Sequence, residues 1–312
     1  MPDHALLPQD ALGLAVTMFI TAKEAQRVSA RTLEAYQLAL TKFSTWLRAH
    51  DITRPDSITP HIVRKYFAEL GQSDLTAWSV HDYARVVKTW LRFLFADGIL
   101  TTDVMAKVTM PRLDKPVLPP FTPDEARAIL NVCADAQDPA RDTALVLLLL
   151  DTGCRAAELC ALTVGDVDTA TGAVTIRAGK GAKDRTAYIG AKARRALLRY
   201  LYTRPAAAKS DPLFPSHHDG AALTRNGLLQ FCHRLGDRAG VTDCHPHKFR
   251  RTCAIESLRA GMDLLRLAAM LGHEDLKTLR GYLKFVQADL QAAHKAHGAV
   301  ERLLSDKTRK DG

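Results

Sequence analysis

The stretch MPRLDKPVLPPF, residues 110–121, holds four prolines and separates two parts of the chain that differ in pattern. Proline has no backbone N–H to donate, and it disfavours helical backbone at the residue before it. We therefore place an extended linker at 111–120. A chain of 312 residues is long enough for one domain on each side of such a linker.

The part before the linker carries helical signals throughout. After Ser29, apolar residues recur at intervals of three and four: Leu33, Tyr36, Leu40, Phe43 and Leu47. This spacing places them on one helix face, with Ser29 as the N-cap. Thr59-Pro60 predicts the start of another helix, since proline is tolerated at the first helical position. With a fourth helix over 80–95, residues 1–110 are predicted to form a small helical bundle.

The part after the linker is predicted to be mostly helical, with one β-hairpin. Thr122-Pro123 repeats the helix-start signal, and two acidic residues follow in the first turn. The apolar stretch 145–153 is far too short to span a bilayer and indicates a buried core segment. Short β-type runs at 174–176 and 186–189 flank the Gly- and Lys-rich sequence AGKGAKD, which is typical of a hairpin with a basic tip.

Charge is unevenly distributed along the chain. The net charge is +9; residues 1–118 contribute +2 (14 basic, 12 acidic) and the remainder +7 (29 basic, 22 acidic). A basic excess in one domain favours a polyanionic partner, nucleic acid first. No secretion signal and no membrane-spanning segment is evident, so we expect a cytoplasmic protein without a membrane partner.

The cysteines predict neither disulfides nor a metal site. The six are scattered and form no CxxC pair, and a chain with a large core does not need disulfides. Cys232-His233 and the run from Cys244 to His247 do not match the usual spacing of zinc ligand pairs. We expect reduced thiols, no metal and no cofactor.

Six residues of the second domain have side chains suited to one chemistry: Arg155, Lys180, His247, Arg250, His273 and Tyr282. Arginines bind the oxygens of a phosphodiester through charge-assisted, paired hydrogen bonds and offset the charge that grows during phosphoryl transfer. Histidines move or position protons near neutral pH, and a lysine on a hairpin can protonate a leaving oxygen. Tyrosine can act as a covalent nucleophile beside such positive charge. His247 and Arg250, three residues apart, would share a helix face.

The motifs that hold these residues resemble those of the tyrosine recombinase (phage integrase-like) family. They are TGCRAAEL (152–159), GKGAKDR (179–185), HPHKFRR (245–251) and LGHEDLKTLRGY (271–282). The last is the most specific, because a Tyr nine residues after the His of LGH is the nucleophile segment of that family. The resemblance covers about 120–295, and in size and layout the chain resembles the Xer and transposon-integrase types.

The resemblance implies a fold and a set of roles. It implies a mainly α protein with a small β-hairpin or sheet, divided into a core-binding, DNA-binding domain (1–110), a linker (111–120), a catalytic domain (121–295) and a tail (296–312). It implies that Arg155 is the first phosphate-binding arginine and that Lys180, with Lys183 as the alternative, is the general acid toward the leaving 5′-oxygen. His247 and Arg250 are the next pair of the site, His273 follows them, and Tyr282 is the nucleophile. Arg251 departs from the family, where His is common, and is expected to change contact with DNA rather than chemistry.

The function implied is site-specific DNA recombination without metal, through a 3′-phosphotyrosyl intermediate and a Holliday junction. It serves integration, excision or resolution of DNA. The partners implied are double-stranded DNA, a homo-tetramer on DNA, and possible accessory bending proteins or a second recombinase. A patch at 300–304 is a candidate for docking on a neighbouring protomer. Two alternatives stay open: a type IB topoisomerase-like enzyme that only relaxes DNA, and a DNA-binding protein without catalysis.

Other conspicuous residues have simpler interpretations. Glu158 is expected to support Arg155 or to pack at a helix end rather than to catalyse. Arg194 and Arg195 either touch phosphate or face solvent. Three tryptophans are expected to lie in the core rather than to stack on bases: Trp46, Trp78 and Trp90.

Overall fold

The computed structural model describes residues 10–113, 118–177, 184–216, 220–272 and 281–283. The chain divides into two compact units, Met1–Pro116 and Val117–Gly312. The boundary between them falls inside the proline-rich stretch. Part of the predicted linker, 114–117, lies outside the described residues.

The first unit contains four α-helices in its described part: α1 (Ala11–Ala25), α2 (Ala30–Ala49), α3 (Pro60–Gly71) and α4 (Ala77–Ala96). Ser29 caps α2 by accepting a hydrogen bond from the Thr32 N–H, and Thr59 caps α3 in the same way. α4 begins three residues before the predicted start, because Thr76 caps it. Short 3₁₀ turns lie at Pro55–Ser57 and Val104–Lys107.

Aromatic side chains fill the centre of this bundle. Phe43 of α2 contacts Trp90 of α4 edge-on, with 6.1 Å between the ring centroids. Trp90 is fully buried, and its indole donates to the Ala15 carbonyl of α1. The interpretation of Trp78 as a core residue is wrong: it lies in the first turn of α4 and is 58% exposed. Trp46 is half-buried, and its indole N–H donates to Glu69.

The second unit is also mainly helical. Its described helices are α5 (Pro123–Ala134), α6 (Pro139–Thr152), α7 (Ala156–Ala161), α8 (Ala191–Tyr202), α9 (Arg225–Ala239), α10 (Pro246–Arg259) and α11 (Leu264–Leu271). As predicted, Thr122 caps α5, and Glu125 completes a capping box. Among all described helices of the chain, none is long and apolar enough to cross a membrane.

A small antiparallel sheet of order β1-β2-β3 accompanies these helices: β1 (Val167–Asp168), β2 (Ala173–Ile176) and β3 (Arg185–Tyr188). β2 and β3 are the two strands of the predicted hairpin, and Ile176 pairs with Arg185 at the end next to the loop. Two residues are too few to show the alternation from which a strand is recognised, so β1 was not predicted.

The buried apolar stretch 145–153 belongs to α6, the central helix of the second unit. α6 packs against α5, α8 and α10, and Leu145, Leu148 and Leu149 are fully buried. This packing positions both ends of α6. Its C-terminal end leads directly into the segment that holds Arg155.

Replacing Leu145 by Ala is expected to lower the free energy of unfolding by about 2–5 kcal/mol, because it removes buried methyl groups and leaves a cavity. Urea unfolding of the purified chain measures this. Leu265→Ala is the matched control: Leu265 is 69% exposed, so its loss should change the free energy by less than about 0.5 kcal/mol. Equal effects of the two substitutions would contradict this account of the core.

Candidate active site

Arg155 is held at the start of α7 by the carboxylate of Glu158. Glu158 Oε2 accepts from the Arg155 backbone N–H at 2.7 Å, and Oε1 accepts from Arg155 Nη1 at 2.8 Å. The carboxylate thus caps the first turn of α7 and fixes the guanidinium at the same time. The expectation that Glu158 supports Arg155 agrees with this geometry.

His247 and Arg250 lie on α10, which begins at Pro246 with His245 as its N-cap. The His245 side chain accepts from the Lys248 N–H at 3.3 Å, so the helix start is fixed just before His247. Arg250 is one turn further along and is buried. Its Nη1 donates to the Gly153 carbonyl at 2.7 Å, which ties α10 to the end of α6.

Three arginines from separate segments meet at the C-terminal end of α11. Arg185 Nε donates to the Met270 carbonyl at 2.9 Å, Arg250 Nη2 to Leu271 at 2.8 Å, and Arg155 Nη2 to Gly272 at 3.0 Å. The last carbonyls of a helix have no partner within it, and the helix dipole favours cations there. This end of α11 therefore assembles Arg155 and Arg250 into one site.

Arg185 also binds Glu158. Its Nη1 and Nη2 donate to the two carboxylate oxygens at 2.9 and 2.6 Å. Burial would raise the pKa of Glu158, but hydrogen bonds from Arg185 and Arg155 lower it to about 2. Glu158 is therefore ionised at neutral pH and holds both arginines.

Two glycines allow the segments to approach one another this closely. Gly153 ends α6 and Gly272 ends α11, both with left-handed backbone, at φ of 55° and 65°. A Cβ on Gly153 would lie 2.7 Å from a methyl group of Leu271, and one on Gly272 would lie 2.9 Å from Nη1 of Arg185. The glycines of the TGCR and LGH motifs are therefore required by backbone conformation and by space.

Tyr282 is buried against α10 and α11. It is 8% exposed and packs in an apolar cluster with Ala254, Ile255 and Leu271, among others. Burial raises the pKa of the Tyr282 hydroxyl, whereas the positive charges of Arg250 and Arg251 lower it. The phenol is thus protonated in the free chain and lies in the field of two arginines.

The same field acts on His247 and Arg250. Burial lowers the pKa of His247, and so do the charges of Arg250, Arg251 and Arg155. The imidazole is therefore mainly neutral near pH 7. Burial and the charge of Arg155 lower the pKa of Arg250 to about 10, so it remains a cation. The charge of Arg155 acts on His247 and on Arg250, and the charges of Arg250 and Arg251 act on His247 and on Tyr282.

A cavity of about 310 Å³ opens beside these residues. Arg155, His247 and Arg250 line it, together with Arg225 and His245. The other lining residues are small or apolar: Cys154, Ala156, Leu229 and Pro246. A cavity bordered by three arginines and two histidines is suited to an anion such as a phosphodiester.

The structure thus brings three of the six predicted site residues, Arg155, His247 and Arg250, to one cavity, and it places Tyr282 where the charge of Arg250 acts on it. Lys180 and His273 lie outside the described residues, as do Lys183, the alternative general acid, and the patch at 300–304. Their predicted roles stay predictions.

Arg251, which stands where His is common in the family, has a distinct environment. Arg251 is only 6% exposed, and its Nε has no hydrogen-bond partner among the residues that the structure describes. Its charge acts on Tyr282 and on His247. The expectation that it changes contact with DNA stays a prediction, and its burial argues against direct contact.

The cysteines of the cysteine–histidine runs lie in the core, whereas His233 and His247 are exposed. Cys232 and Cys244 are buried, and burial raises the pKa of both thiols, that of Cys244 to about 11. Zinc binds the thiolate, which burial disfavours here. Within the described ranges, no group of three or more His, Cys, Asp or Glu side chains is placed to hold a metal ion.

Comparison with known protein families agrees with the site. Residues 120–288 match the phage integrase family, and residues 19–98 match the phage integrase N-terminal SAM-like domain. The chain belongs to the phage integrase family. Its predicted relationship to the tyrosine recombinases is confirmed, as is the mainly helical fold with a small sheet.

Individual phage integrase family relatives are recombinases of the Xer type. The chain is 31% identical to tyrosine recombinase XerD of Pseudomonas aeruginosa over 85% of its own length and 90% of that protein. It is 30% identical to tyrosine recombinase XerC of Oceanobacillus iheyensis, covering 87% and 92%. These relatives identify the chain as a tyrosine site-specific recombinase, and they do not favour the topoisomerase alternative.

Solved structures show the same fold. The Tn1549 transposon integrase, solved in complex with circular intermediate DNA, superposes with a TM-score of 0.72 at 17% identity. The match covers 90% of this chain and 99% of that one. At this identity the likeness establishes the fold of the integrase family member described here, and not its substrate.

The motifs did not single out Arg185 as part of the site. Arg185 is the last residue of the GKGAKDR motif, but a charged residue beside a lysine-rich turn is usually expected to face solvent. The signal that could have found it is strand alternation: Arg185 lies two residues before Ala187, whose side chain is buried. Residues two apart on a strand point to the same face, so Arg185 points inward.

Replacing Glu158 by Gln is expected to reduce the loss of unfolding free energy that occurs when the pH is lowered into the acid range. A carboxyl whose pKa falls from 4.5 in the unfolded chain to about 2 in the folded one stabilises the fold above pH 4.5. That stabilisation, about 3 kcal/mol, is lost as the pH falls toward 2. Unfolding free energies in urea between pH 7 and pH 3 measure the loss, which should be smaller in the variant.

The control for this measurement is Glu256→Gln, since Glu256 forms an exposed pair with Arg259 on α10. Its substitution should leave the pH dependence close to that of the unmodified chain. An unchanged pH dependence in Glu158→Gln would show that the carboxylate is not held as described.

Proposed function

We propose that this recombinase cuts and rejoins double-stranded DNA at specific sites through a covalent bond between Tyr282 and a DNA 3′-phosphate. The observation that carries the proposal is that Arg155, His247 and Arg250, from two separate parts of the sequence, line one cavity of the second unit, and that the buried Tyr282 interacts electrostatically with Arg250. Family membership and the Xer relatives support the same reaction.

In the proposed reaction, Arg155 and Arg250 bind the non-bridging oxygens of the phosphodiester that is cut. Each guanidinium is fixed by carbonyl oxygens of the protein, so little reorganisation is needed when negative charge grows on the phosphate. Such preorganised donors lower the barrier most when charge develops in the transition state.

The phenol oxygen of Tyr282 attacks the phosphorus, and the bond from phosphorus to the 5′-oxygen breaks. The tyrosine must lose its proton in this step, and neutral His247 is the described residue that we assign to receive it. The leaving 5′-oxygen takes up a proton, which we assign to Lys180 or Lys183 of the hairpin. The 5′-hydroxyl of another strand then attacks the phosphotyrosine and restores Tyr282.

The first unit offers a surface for the DNA backbone. On α4, basic residues recur at intervals of four, three and four: His81, Arg85, Lys88 and Arg92. They line one concave surface of this unit with Thr89 and Met110. A basic helix face of this kind supports phosphate contacts that position a duplex without reading its sequence.

These features support the predicted assignment of DNA binding and catalysis to separate domains, and they support the predicted partners. We assign residues 1–110 to DNA binding and residues 121–295 to catalysis, joined by the linker at 111–120. Four protomers on two DNA sites, with a Holliday junction between the two exchanges, complete the proposal. The tail at 296–312 would dock on a neighbouring protomer. An accessory bending protein or a second recombinase can take part, and the proposed place of action is the cytoplasm.

Tyr282→Phe is expected to abolish covalent attachment to DNA, because phenylalanine has no oxygen to attack phosphorus. The chain and the variant are each incubated with sheared genomic DNA of the source organism, denatured in detergent and examined for protein–DNA adducts. Sequencing the attached DNA identifies the target site. Tyr188→Phe is the matched control, since Tyr188 is 64% exposed on β3 and should leave attachment intact.

Adducts that persist in Tyr282→Phe would place the nucleophile elsewhere and refute the mechanism. Loss of adducts in both tyrosine variants would point to a general effect on the protein rather than on the nucleophile. Supercoil relaxation of any plasmid, without exchange between two target sites, would support the topoisomerase alternative instead.

Covalent attachment is expected to continue in a chelator. The charge that a metal ion would offset is met in this proposal by Arg155 and Arg250, and both are cations at neutral pH. Adduct yields are measured without chelator and with EDTA in about 10-fold excess over any added divalent ion. The two yields should agree within about twofold. Loss of adducts in EDTA would contradict the proposed use of the arginines.

A further inference from the structure

Arg185 uses all three of its guanidinium nitrogens for hydrogen bonds within the protein. Its side chain is 10% exposed, and its three nitrogens donate to Met270 and to both carboxylate oxygens of Glu158. Arg155, by contrast, has a side chain that is 49% exposed, and it lines the cavity. The contribution of Arg185 therefore acts through other residues.

Those residues belong to three different elements. Arg185 is the first residue of β3, directly after the hairpin segment that carries Lys180 and Lys183. Glu158 belongs to α7 and holds Arg155, while Met270 belongs to the end of α11, two residues before Gly272. One side chain thus connects the loop end of the hairpin, the carboxylate that holds Arg155, and the end of α11.

Stability alone is a weak explanation for this arrangement. A buried ion pair loses much of its Coulomb energy to desolvation, so it often adds little net stability over apolar packing. Here Arg185 itself is also a third positive charge beside Arg155 and Arg250, and it lowers the pKa of Arg250. What the pair supplies is a fixed geometry, since a guanidinium and a carboxylate meet in one plane through two parallel hydrogen bonds.

We propose that Arg185 is a positioning residue for strand cleavage: through Glu158 and the Met270 carbonyl it fixes the direction of the Arg155 guanidinium and the place where the hairpin strand joins the site. This role rests on the proposed function of the chain. Without Arg185, Glu158 retains one guanidinium instead of two and is free to turn, and Arg155 turns with it. The phosphate then loses a donor in the transition state, while binding of the duplex elsewhere is unaffected.

The test compares Arg185→Gln, Arg185→Lys and a control, Arg177→Gln. Arg177 directly follows β2, on the strand opposite Arg185. It pairs with the buried carboxylate of Asp166 at 2.8 Å, but it does not contact α7 or α11 through any hydrogen bond found in the described residues. The probe is a nicked duplex carrying the site recovered by trapping, which holds the covalent adduct once it forms. The measurements are the single-turnover rate constant at saturating DNA, the Kd for DNA, and the thermal unfolding midpoint.

Arg185→Gln is expected to lower the rate constant about 10- to 100-fold and to change Kd less than about threefold, the pattern of an interaction made in the transition state. Arg185→Lys should recover part of the rate, because lysine keeps the charge but loses the paired geometry. The rate constant of Arg177→Gln should stay within about twofold of that of the unmodified chain. A merely structural role would lower the unfolding midpoint and leave the rate constant of the folded protein unchanged, which would overturn the proposal.

A double-mutant cycle with Glu158→Gln tests whether Arg185 affects the rate constant through Glu158. If Arg185 acts through Glu158, the Arg185→Gln substitution should lower the rate much less in the Glu158→Gln background than in the unmodified chain. Additive effects of the two substitutions would overturn the proposed route. If the unmodified chain forms no adduct with any DNA, the proposed function fails and this role fails with it; if it forms adducts and Arg185→Gln reacts equally fast, only the role of Arg185 fails.

Discussion

The site depends on hydrogen bonds from three guanidinium groups to three successive carbonyls at the end of α11. The capping N–H of Gly272 is bonded to Ala268 and Ala269, so the carbonyls of residues 270–272 are available to other donors. Arg185, Arg250 and Arg155 take one each. Because these arginines come from a strand, a helix and a helix cap, the end of α11 fixes the relative positions of all three elements.

This arrangement concentrates positive charge where it is not fully offset. In the part of the chain that the structure describes, Arg155 and Arg185 share one carboxylate, that of Glu158, while Arg250 and Arg251 are two further buried cations. Burial and mutual repulsion both lower the pKa of Arg250, so the free chain holds its arginines against an electrostatic penalty. An anion in the cavity relieves that penalty, and a phosphodiester that gains charge as it reacts relieves it most.

The sequence was sufficient for the fold and for the residue types of the site, and insufficient for the contacts that orient them. Prolines, helix caps and apolar spacing are local signals, so the linker, the starts of α2, α3 and α5 and the hairpin could be predicted. The role of Arg185 depends on contacts with Glu158 and Met270, 27 and 85 residues away along the chain. The exposure of Trp78 depends likewise on which face of α4 the bundle covers, which one aromatic residue does not reveal.

The contacts explain why the site uses arginine rather than lysine at residues 155 and 250. Arg250 bridges two elements, with one nitrogen on Gly153 and the other on Leu271. Arg155 likewise holds Glu158 with one nitrogen and Gly272 with the other. A planar guanidinium has five N–H donors in a fixed fork, so it can keep two protein contacts and still present a donor to a phosphate. A lysine ammonium carries its donors on one atom and cannot reach both acceptors at once. The glycine of the LGH motif follows from a related constraint, since a Cβ on Gly272 would lie 2.9 Å from Nη1 of Arg185.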